Sequence, residues 1–236
     1  GSRIRIAQPA VGVRSYLAVN GQLESPRALG SVAPDPLLGF GRRLVVGDNI
    51  DVTTAFRAAD VFPMPVFRIS VPVPRLTSPV TLRATPGPDI HRLAGGADAL
   101  GATFEMLPQS DYIGVRLVGG DLGLAVRDEI LSRGVPIGAV EVPPSGELII
   151  LMRGRLVTAG YPVVAVLTRA SIDRLAQARP GDSVRLHLVD MDMAQADISA
   201  AETNHRAIAQ RVAAAFDARG LGRLVAHRHA SRHIDV

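Results

Sequence analysis

The chain has 236 residues, a length that suits one large domain or two small ones. With 47% hydrophobic and 20% charged residues and a mean hydropathy of +0.21, the composition is that of a globular protein and excludes a wholly disordered one. No apolar run reaches the roughly 20 residues that a membrane-spanning helix needs. The first residues also lack the apolar centre of a secretory signal, so we expect a cytoplasmic protein without membrane contact.

The inventory of side chains excludes several chemistries. Cysteine is absent, which removes disulfides, thiolate nucleophiles and Cys-type zinc sites. All 26 basic residues are arginine, so these 236 residues offer neither a Schiff-base lysine nor a lysine for covalent biotin. The sequence pI of about 10.5 reflects the high pKa of arginine, because the formal net charge is only +4. Since aromatic residues are 4% of the chain, we do not expect nucleic-acid binding.

Short β-branched runs separated by Gly and Pro extend to about residue 190 and predict a mostly β protein. Such short runs, without long helical patterns between them, are typical of closed barrels or sandwiches. The predicted strands are 13–19, 44–46, 66–73, 80–84, 103–107, 114–117, 139–142, 148–152, 163–167 and 184–188.

Composition also indicates how the chain is divided. A Pro-rich stretch at 62–74 separates the first group of predicted strands from the second. We therefore predict a first barrel part with this bridge over 1–75, a second barrel part over 76–190, and a C-terminal helix with a basic His/Arg tail over 191–236.

Two helices interrupt the β pattern. A short one is predicted over 172–178, with Ser171 as its N-cap. A longer one is predicted over 191–219, ended by Gly220. Its apolar stripe recurs every four residues and consists of Ile208, Val212 and Phe216.

Several sequence blocks occur in an order that resembles one protein family. The blocks are 12–19, 37–42, 110–117, 134–146, 158–162 and 175–182. They resemble the family of allophanate hydrolase subunit 2, the C subunit of 5-oxoprolinase and KipA, which includes biotin-dependent carboxyltransferase domains. The resemblance implies cyclophilin-like β-barrel domains. It also implies a further segment before the first block, so we expect the first barrel part to be incomplete here.

The same resemblance implies a function. It indicates one subunit of a heteromeric enzyme that acts on a small amide or lactam, specifically the C subunit of ATP-dependent 5-oxoprolinase. The implied partner is a related protein of the type of allophanate hydrolase subunit 1, the B subunit of 5-oxoprolinase or KipI. ATP would be used through the complex, and any biotin would arrive on another protein. The alternative is a KipA-like regulatory protein that binds a kinase-inhibitor partner without catalysis.

The chemistry implied for such a site is assigned to side chains within the matching blocks. Glu141 is the candidate acid or base and Arg155 the candidate group that polarises substrate, so these two are the catalytic candidates. The substrate-binding candidates are Ser110, Asp111, Arg116, Thr158 and Tyr161. For four of these positions a structural role is the competing interpretation: turn formation for the Ser-Asp pair, an exposed strand position for the arginine, and a core or barrel-rim aromatic for the tyrosine. For Glu141 the competing interpretation is a surface acid at the end of a strand.

Five positions in or beside these blocks differ from the pattern of many family members. Arg133 stands where Glu is usual, and Glu141 stands where Gln is usual. Further along, Gly154 replaces an Asp, Leu156 a Gln and Val163 a Lys. An acid is thereby exchanged for a base, and a neutral amide for an ionisable acceptor. These differences motivate the non-catalytic alternative.

The terminal histidines suggest metal chemistry only at first sight. His227, His229 and His233 are close in sequence, but Arg228 and Arg232 lie between them. Because the guanidinium groups repel a divalent cation, we predict a basic tail and no metal site.

Overall fold

The computed structural model describes residues 3–19, 21–35, 38–53, 76–126 and 129–218. The chain divides into two compact units, one of residues 1–14 and 69–236 and one of residues 15–68. The Pro-rich bridge at 62–74, the predicted strand 66–73 and the tail with its three histidines lie outside the described residues.

The smaller unit holds one short sheet. Strand β1 (Gln22–Leu23) pairs antiparallel with β2 (Val52–Thr53). Between them, Arg42 and Asp48 form an ion pair at 2.6 Å, and the Asp48 carboxylate also accepts the N–H of Val45 at 2.7 Å. The hydrogen bond from the guanidinium holds the pKa of Asp48 below its ordinary value.

The larger unit holds nine strands in its described residues, of which seven close into a barrel. The nine are β3 (Val80–Pro86), β4 (Thr103–Met106), β5 (Gly114–Val118), β6 (Arg133–Gly134), β7 (Ala139–Glu141), β8 (Leu148–Leu151), β9 (Thr158–Ala159), β10 (Val163–Leu167) and β11 (Ser183–Leu188). Around the barrel the order is β10, β3, β11, β4, β5, β8 and β7, and β7 pairs with β10 to close it. The β3–β11 pair is parallel and the others are antiparallel, while β6 and β9 form a separate two-stranded sheet.

Alternation along the strands fills the barrel interior. On β3, Val80, Leu82 and Ala84 are buried whereas Thr81 and Arg83 are exposed. The side chains that reach full burial from the other strands include Phe104, Leu117, Val140, Leu148, Ile150, Val164 and Val184. The predicted mostly β barrel class is therefore confirmed, and all seven barrel strands coincide with predicted ones to within two residues.

Two predicted strands in the N-terminal part are wrong. Residues 13–19 are not a strand, because the N–H groups of Val13 and Arg14 donate to the Gln177 side-chain oxygen at 3.1 and 3.0 Å instead of to a neighbouring strand. Residues 44–46 lie exposed before a turn and carry no ladder hydrogen bonds. Apolar, β-branched runs favour strands only where a second strand is in reach to pair with them.

Helix α1 (Arg169–Leu175) begins earlier than predicted, and its N-cap is Thr168 rather than Ser171. The Ser171 side chain instead accepts the N–H of Arg83 at 2.7 Å, which ties the helix to β3. Helix α2 (Met191–Asp217) is confirmed to within two residues of its predicted end.

Helix α2 begins at an Asp N-cap and contacts the barrel further along. The Asp190 side chain accepts the N–H of Met193 at 2.8 Å, which satisfies one of the free donors of the first turn. Further along, Asp197 binds Arg83 of β3 at 2.6 Å. In the described part of the chain, no helix combines the length and the apolar character needed to cross a membrane.

Candidate functional site

The candidate site lies on the outer face of the barrel, where β5, β8, β7 and β10 are neighbours. Ile149 of β8 is the cross-strand partner of Glu141 on one side and of Arg116 on the other. Val163 of β10 faces Glu141 from the next strand. Because directly paired residues point to the same face of a sheet, the acid and the arginine share one face and stand two strand spacings apart.

Glu141 is buried on this outer face. Ala139, two residues earlier on β7, packs in a small apolar cluster with Val135 and Val163 against the segment that contains β6 and β9. Only 2% of Glu141 is exposed, and its Oε1 atom has no hydrogen-bond partner among the described residues. Burial raises the pKa of Glu141 to about 7, against the opposing effect of the positive charge of Arg133. A carboxyl group of this kind exchanges a proton near neutral pH.

Asp89 connects the barrel to the sheet of β6 and β9. It follows β3 and is buried, and its Oδ2 atom accepts the N–H of Val163 at 2.8 Å. The same oxygen binds the Arg133 guanidinium of β6. Gly87 allows this approach, because a Cβ atom there would lie 2.3 Å from the Val163 carbonyl oxygen.

Arg92 adds a second guanidinium to this group. It ends a 3₁₀ helix formed by Ile90–Arg92, and its Nε lies 3.7 Å from Asp89 Oδ1. Its Nε and Nη1 atoms are buried and have no hydrogen-bond partner among the described residues. Asp89, Arg92, Arg133 and Glu141 form a group of charged residues in which the two acids are buried and the two arginines partly exposed.

A cleft of about 480 Å³ lies at the end of β7, where Val142 lines it. Its described lining residues come from four segments: 120–126, 129–130, 142–146 and 160–162. Val142 follows Glu141 directly in the sequence, and its N–H donates to the Pro162 carbonyl at 3.1 Å. Among the described residues that line the cleft, the charged ones are Asp121 and Glu129, and both are exposed.

The Ser-Asp pair predicted to bind substrate organises a turn. Ser110 Oγ accepts the backbone N–H of Arg116 at 3.0 Å, and Asp111 Oδ1 accepts those of Ile113 and Gly114 at 2.8 and 3.0 Å. These bonds hold the start of β5 in place. They position Arg116 without directing either side chain towards the cleft.

Arg116 points along the outer face, where its guanidinium binds Glu147 at 2.5 Å. Glu147 follows the 142–146 segment of the cleft wall. Since 41% of the Arg116 side chain is exposed, the arginine retains donors for a ligand.

The remaining three candidates lie on the segment around β9. Arg155 Nε donates to the Val135 carbonyl at 3.0 Å and thereby ties this segment to the end of β6. Thr158 is exposed and pairs with Gly134 across the two-stranded sheet. Tyr161 is exposed between Gly160 and Pro162 of the cleft wall.

The fold thus brings some predicted residues together and leaves others apart. Glu141 and Arg116 share one face of the barrel, whereas Thr158 and Tyr161 lie on the segment around β9. Asp89 and Arg92 were missed by the sequence analysis. The one sequence signal for them is the Pro-Gly-Pro-Asp run that ends a predicted strand, since a charged residue after such a tight turn is often placed for a specific contact. Within the described ranges, no group of three or more His, Cys, Asp or Glu side chains is placed to hold a metal ion.

Comparison with known proteins supplies the family. A sequence model of the carboxyltransferase domain, subdomain A and B, matches residues 1–188. The C subunit of 5-oxoprolinase from Escherichia coli (strain K12) is 32% identical over 202 residues, which are 83% of this chain and 62% of that protein. The chain therefore spans about three fifths of the length of this relative and of the 5-oxoprolinase C subunit from Haemophilus influenzae.

Solved structures agree with this result. The crystal structure of TTHA0988 superposes with a TM-score of 0.61 at 35% identity, covering 76% of this chain and 34% of that one. The K. lactis urea amidolyase superposes with a TM-score of 0.70 at 21% identity over 86% of this chain and 13% of that one, which supports the fold alone. On these grounds the chain belongs to the carboxyltransferase domain family, subdomain A and B.

Proposed function

We propose that this chain is part of a heteromeric enzyme that acts on a small amide or lactam, specifically the C subunit of an ATP-dependent 5-oxoprolinase. The observation that carries the proposal is the 32% identity to the E. coli protein of that name over 83% of the chain. The geometry of the outer face adds support, because it combines a buried acid, an arginine on the same face and an adjoining cleft.

The chemistry of amide activation explains why this arrangement suits the proposal. An amide or lactam carbonyl reacts when a cationic donor stabilises charge on its oxygen and a nearby group moves a proton. In the proposed roles, Arg116 binds an anionic or carbonyl oxygen, and Glu141 accepts or donates the proton. Arg155 polarises the substrate with the N–H groups that it does not spend on the Val135 carbonyl. Ser110 and Asp111 contribute by holding the start of β5, and with it Arg116, in place. Thr158 and Tyr161 complete substrate binding in this proposal.

The described part of the cleft lining disfavours ATP. Among the described lining residues, the charged side chains are the carboxylates of Asp121 and Glu129, and these repel a polyphosphate. We therefore place ATP use on the complex, through a related partner of the type of the 5-oxoprolinase B subunit or KipI, and derive no step of ATP chemistry from the residues described here.

The test is co-expression of this chain with its related partner. The complex is purified by a tag on one protein, the third 5-oxoprolinase component is added, and 5-oxoproline-dependent ATP hydrolysis is measured. We expect turnover that requires all components. A stable complex without turnover would contradict the enzyme hypothesis and favour a KipA-like regulatory protein.

A matched pair of variants separates the site from the fold. Glu141→Gln removes the proton-exchanging group and restores the residue that is usual in the family. If this chain relies on its own carboxyl, turnover falls at least about a hundredfold, in the range typical of a lost general acid or base. Glu202→Gln makes the same chemical change on the exposed surface of α2 and is expected to leave turnover unchanged. Equal activity of the two variants would remove Glu141 from the mechanism.

A further inference from the structure

The two-stranded sheet of β6 and β9 covers the outer face of the barrel at Glu141. The cross-strand partners of Glu141 are Val163 and Ile149, and both belong to one apolar cluster with Ala159 of β9. Arg133 is in turn the partner of Ala159 across the small sheet, and paired residues point to the same face. The side chains of Arg133 and Glu141 are therefore directed into the same layer, between the small sheet and the barrel.

Asp89 holds the Arg133 guanidinium in this layer. Its Oδ2 atom binds Arg133 and also accepts the N–H of Val163 at 2.8 Å. Val163 is the residue that faces Glu141 from β10. Two contacts thus connect the guanidinium to the pair of strands that carries the buried acid.

Few charged side chains surround Glu141 in the described structure. The neighbouring strands β8, β9 and β10 carry none, and β6 contributes Arg133. Arg116 of β5 lies beyond Ile149 and is bound to Glu147. The charge of Arg133 is the one that opposes the effect of burial on the pKa of Glu141. The charged or titratable side chains of the adjoining loops are Asp89, Arg92, Arg155 and Tyr161.

The charges in this layer balance when Glu141 is ionised. Asp89 is shared by two arginines, because Arg133 binds its Oδ2 atom and Arg92 Nε lies 3.7 Å from its Oδ1 atom. These three groups carry one net positive charge, which a Glu141 carboxylate neutralises. A buried carboxylate needs such compensation, all the more because Oε1 of Glu141 has no hydrogen-bond partner among the described residues.

We propose that Arg133, anchored by Asp89, is a positioning residue that acts as the counter-ion of Glu141 during proton exchange. When the carboxyl group gives its proton to the substrate, the carboxylate that remains faces the guanidinium. Arg133 itself stays protonated throughout and keeps its contact with Asp89 in both states. The role in turnover rests on the function proposed above, whereas the pairing of the two charges does not.

The pairing is tested by NMR on this chain alone. The chain has six glutamates, and after isotope labelling of their carboxyl groups the Glu141 signal is the one that Glu141→Gln lacks. The Nε–H signal of Arg133 is followed in the same pH titration. We expect both signals to move with a common midpoint at about pH 7, and the Arg133 midpoint to vanish in Glu141→Gln. An Arg133 signal that does not follow Glu141 would overturn the proposal.

Variants of Arg133 give the second arm of the test. Arg133→Gln removes the charge, so we expect the pKa of Glu141 to rise by at least about one unit, as for loss of a nearby opposite charge. Arg133→Lys keeps the charge and should keep the pKa close to that of the unsubstituted chain. Arg153→Gln is the matched control, because the Arg153 side chain is 68% exposed and its ion pair with Asp173 is 3.9 Å long. An unchanged pKa in Arg133→Gln, or an equal rise in either other variant, would contradict the proposal. The titration of the unsubstituted chain decides the matter should Arg133→Gln fail to fold.

The assembled complex provides a readout of the role in turnover. The pH midpoint of kcat/KM for 5-oxoproline-dependent ATP hydrolysis should move upwards in Arg133→Gln together with the pKa of Glu141. A midpoint that stays fixed while this pKa moves would overturn the positioning role. A complex without turnover would contradict the proposed function and with it the role in turnover, while the NMR titration decides the pairing by itself.

Discussion

A single oxygen of Asp89 joins Arg133 on the two-stranded sheet to the backbone N–H of Val163 on the barrel. The hydrogen bond from the Val163 N–H has an N···O distance of 2.8 Å, and Asp89 lies 44 residues before Arg133 in the sequence. The carboxylate is buried, and Arg92 approaches its other oxygen. This contact holds the segment of β6 and β9 to the barrel near Glu141, so the environment of that acid depends on Asp89.

Asp89→Asn is therefore expected to destabilise the protein strongly. It removes the charge that balances Arg133 and Arg92 and weakens the acceptor for Val163. Breaking a buried ion pair on one side typically costs about 3 kcal/mol or more. Urea unfolding measures this loss. Asp173→Asn is the control, because its only ion pair in the described structure is exposed and 3.9 Å long, and it should cost less than about 1 kcal/mol. Equal losses would show that the Asp89 contact does not hold the fold.

Glu141 should give the stability a distinctive pH dependence. Its pKa is raised from 4.5 to about 7 by burial, so the folded state keeps a proton that the unfolded state loses. The destabilising effect of Glu141 on the folded state is absent below pH 4.5. It grows as the pH rises from 4.5 to 7 and is complete above pH 7. One pKa unit corresponds to about 1.4 kcal/mol, so the upper limit of this effect is about 3 kcal/mol.

Glu141→Gln tests that dependence. The variant should gain stability relative to the unsubstituted chain between about pH 5 and pH 8, as measured by urea unfolding across this range. Glu202→Gln on α2 changes an exposed carboxyl and should follow the unsubstituted chain at every pH. A constant difference between Glu141→Gln and the unsubstituted chain would contradict the raised pKa.

Gly87 should not tolerate a side chain. A Cβ atom there would lie 2.3 Å from the Val163 carbonyl oxygen and 2.7 Å from the Ala165 nitrogen, both of them backbone atoms that cannot turn away. We expect Gly87→Ala to destabilise the protein by about 3 kcal/mol, at the upper end of overpacking effects. Gly101→Ala is the control, because its Cβ would meet open space and its backbone needs no positive φ. Thermal unfolding that ranks the two variants equally would refute the close approach.

The Arg116–Glu147 pair should contribute little to stability. The Arg116 side chain is 41% exposed, and water screens pairs of this kind. A double-mutant cycle with Arg116→Ala and Glu147→Ala should give a coupling of about 1 kcal/mol or less, which decreases in about 1 M salt. A coupling of several kcal/mol that salt does not change would mean that Arg116 is a structural residue, which would weaken its proposed role in binding.

The sequence analysis was most accurate where local pattern and tertiary structure agree. The barrel strands were predicted because alternating apolar residues bury one face of each strand, as Leu82 and Ala84 do on β3. It was wrong for 13–19, where the same apolar character occurs but no strand among the described residues pairs with it. It was also wrong about Ser171, because a residue with an oxygen suited to capping bonded to the distant N–H of Arg83 instead.

The candidate site shows a similar division. The resemblance drew attention to Glu141, and the structure adds that its carboxyl is buried and that Oε1 finds no partner among the described residues. No sequence pattern indicated that Asp89 and Arg133 would meet, because their separation of 44 residues is bridged only when the barrel closes.

Residue order alone therefore determined the class of fold, the barrel strands and the long C-terminal helix, since these depend on periodic patterns within a few residues. It also determined that no lysine or cysteine chemistry is available in these 236 residues. Only the tertiary structure decided which charges share a buried environment. The ionisation of Glu141 and the unpaired donors of Arg92 within the described structure arise from exclusion of water by segments far apart in the chain, and local pattern carries no information about that exclusion.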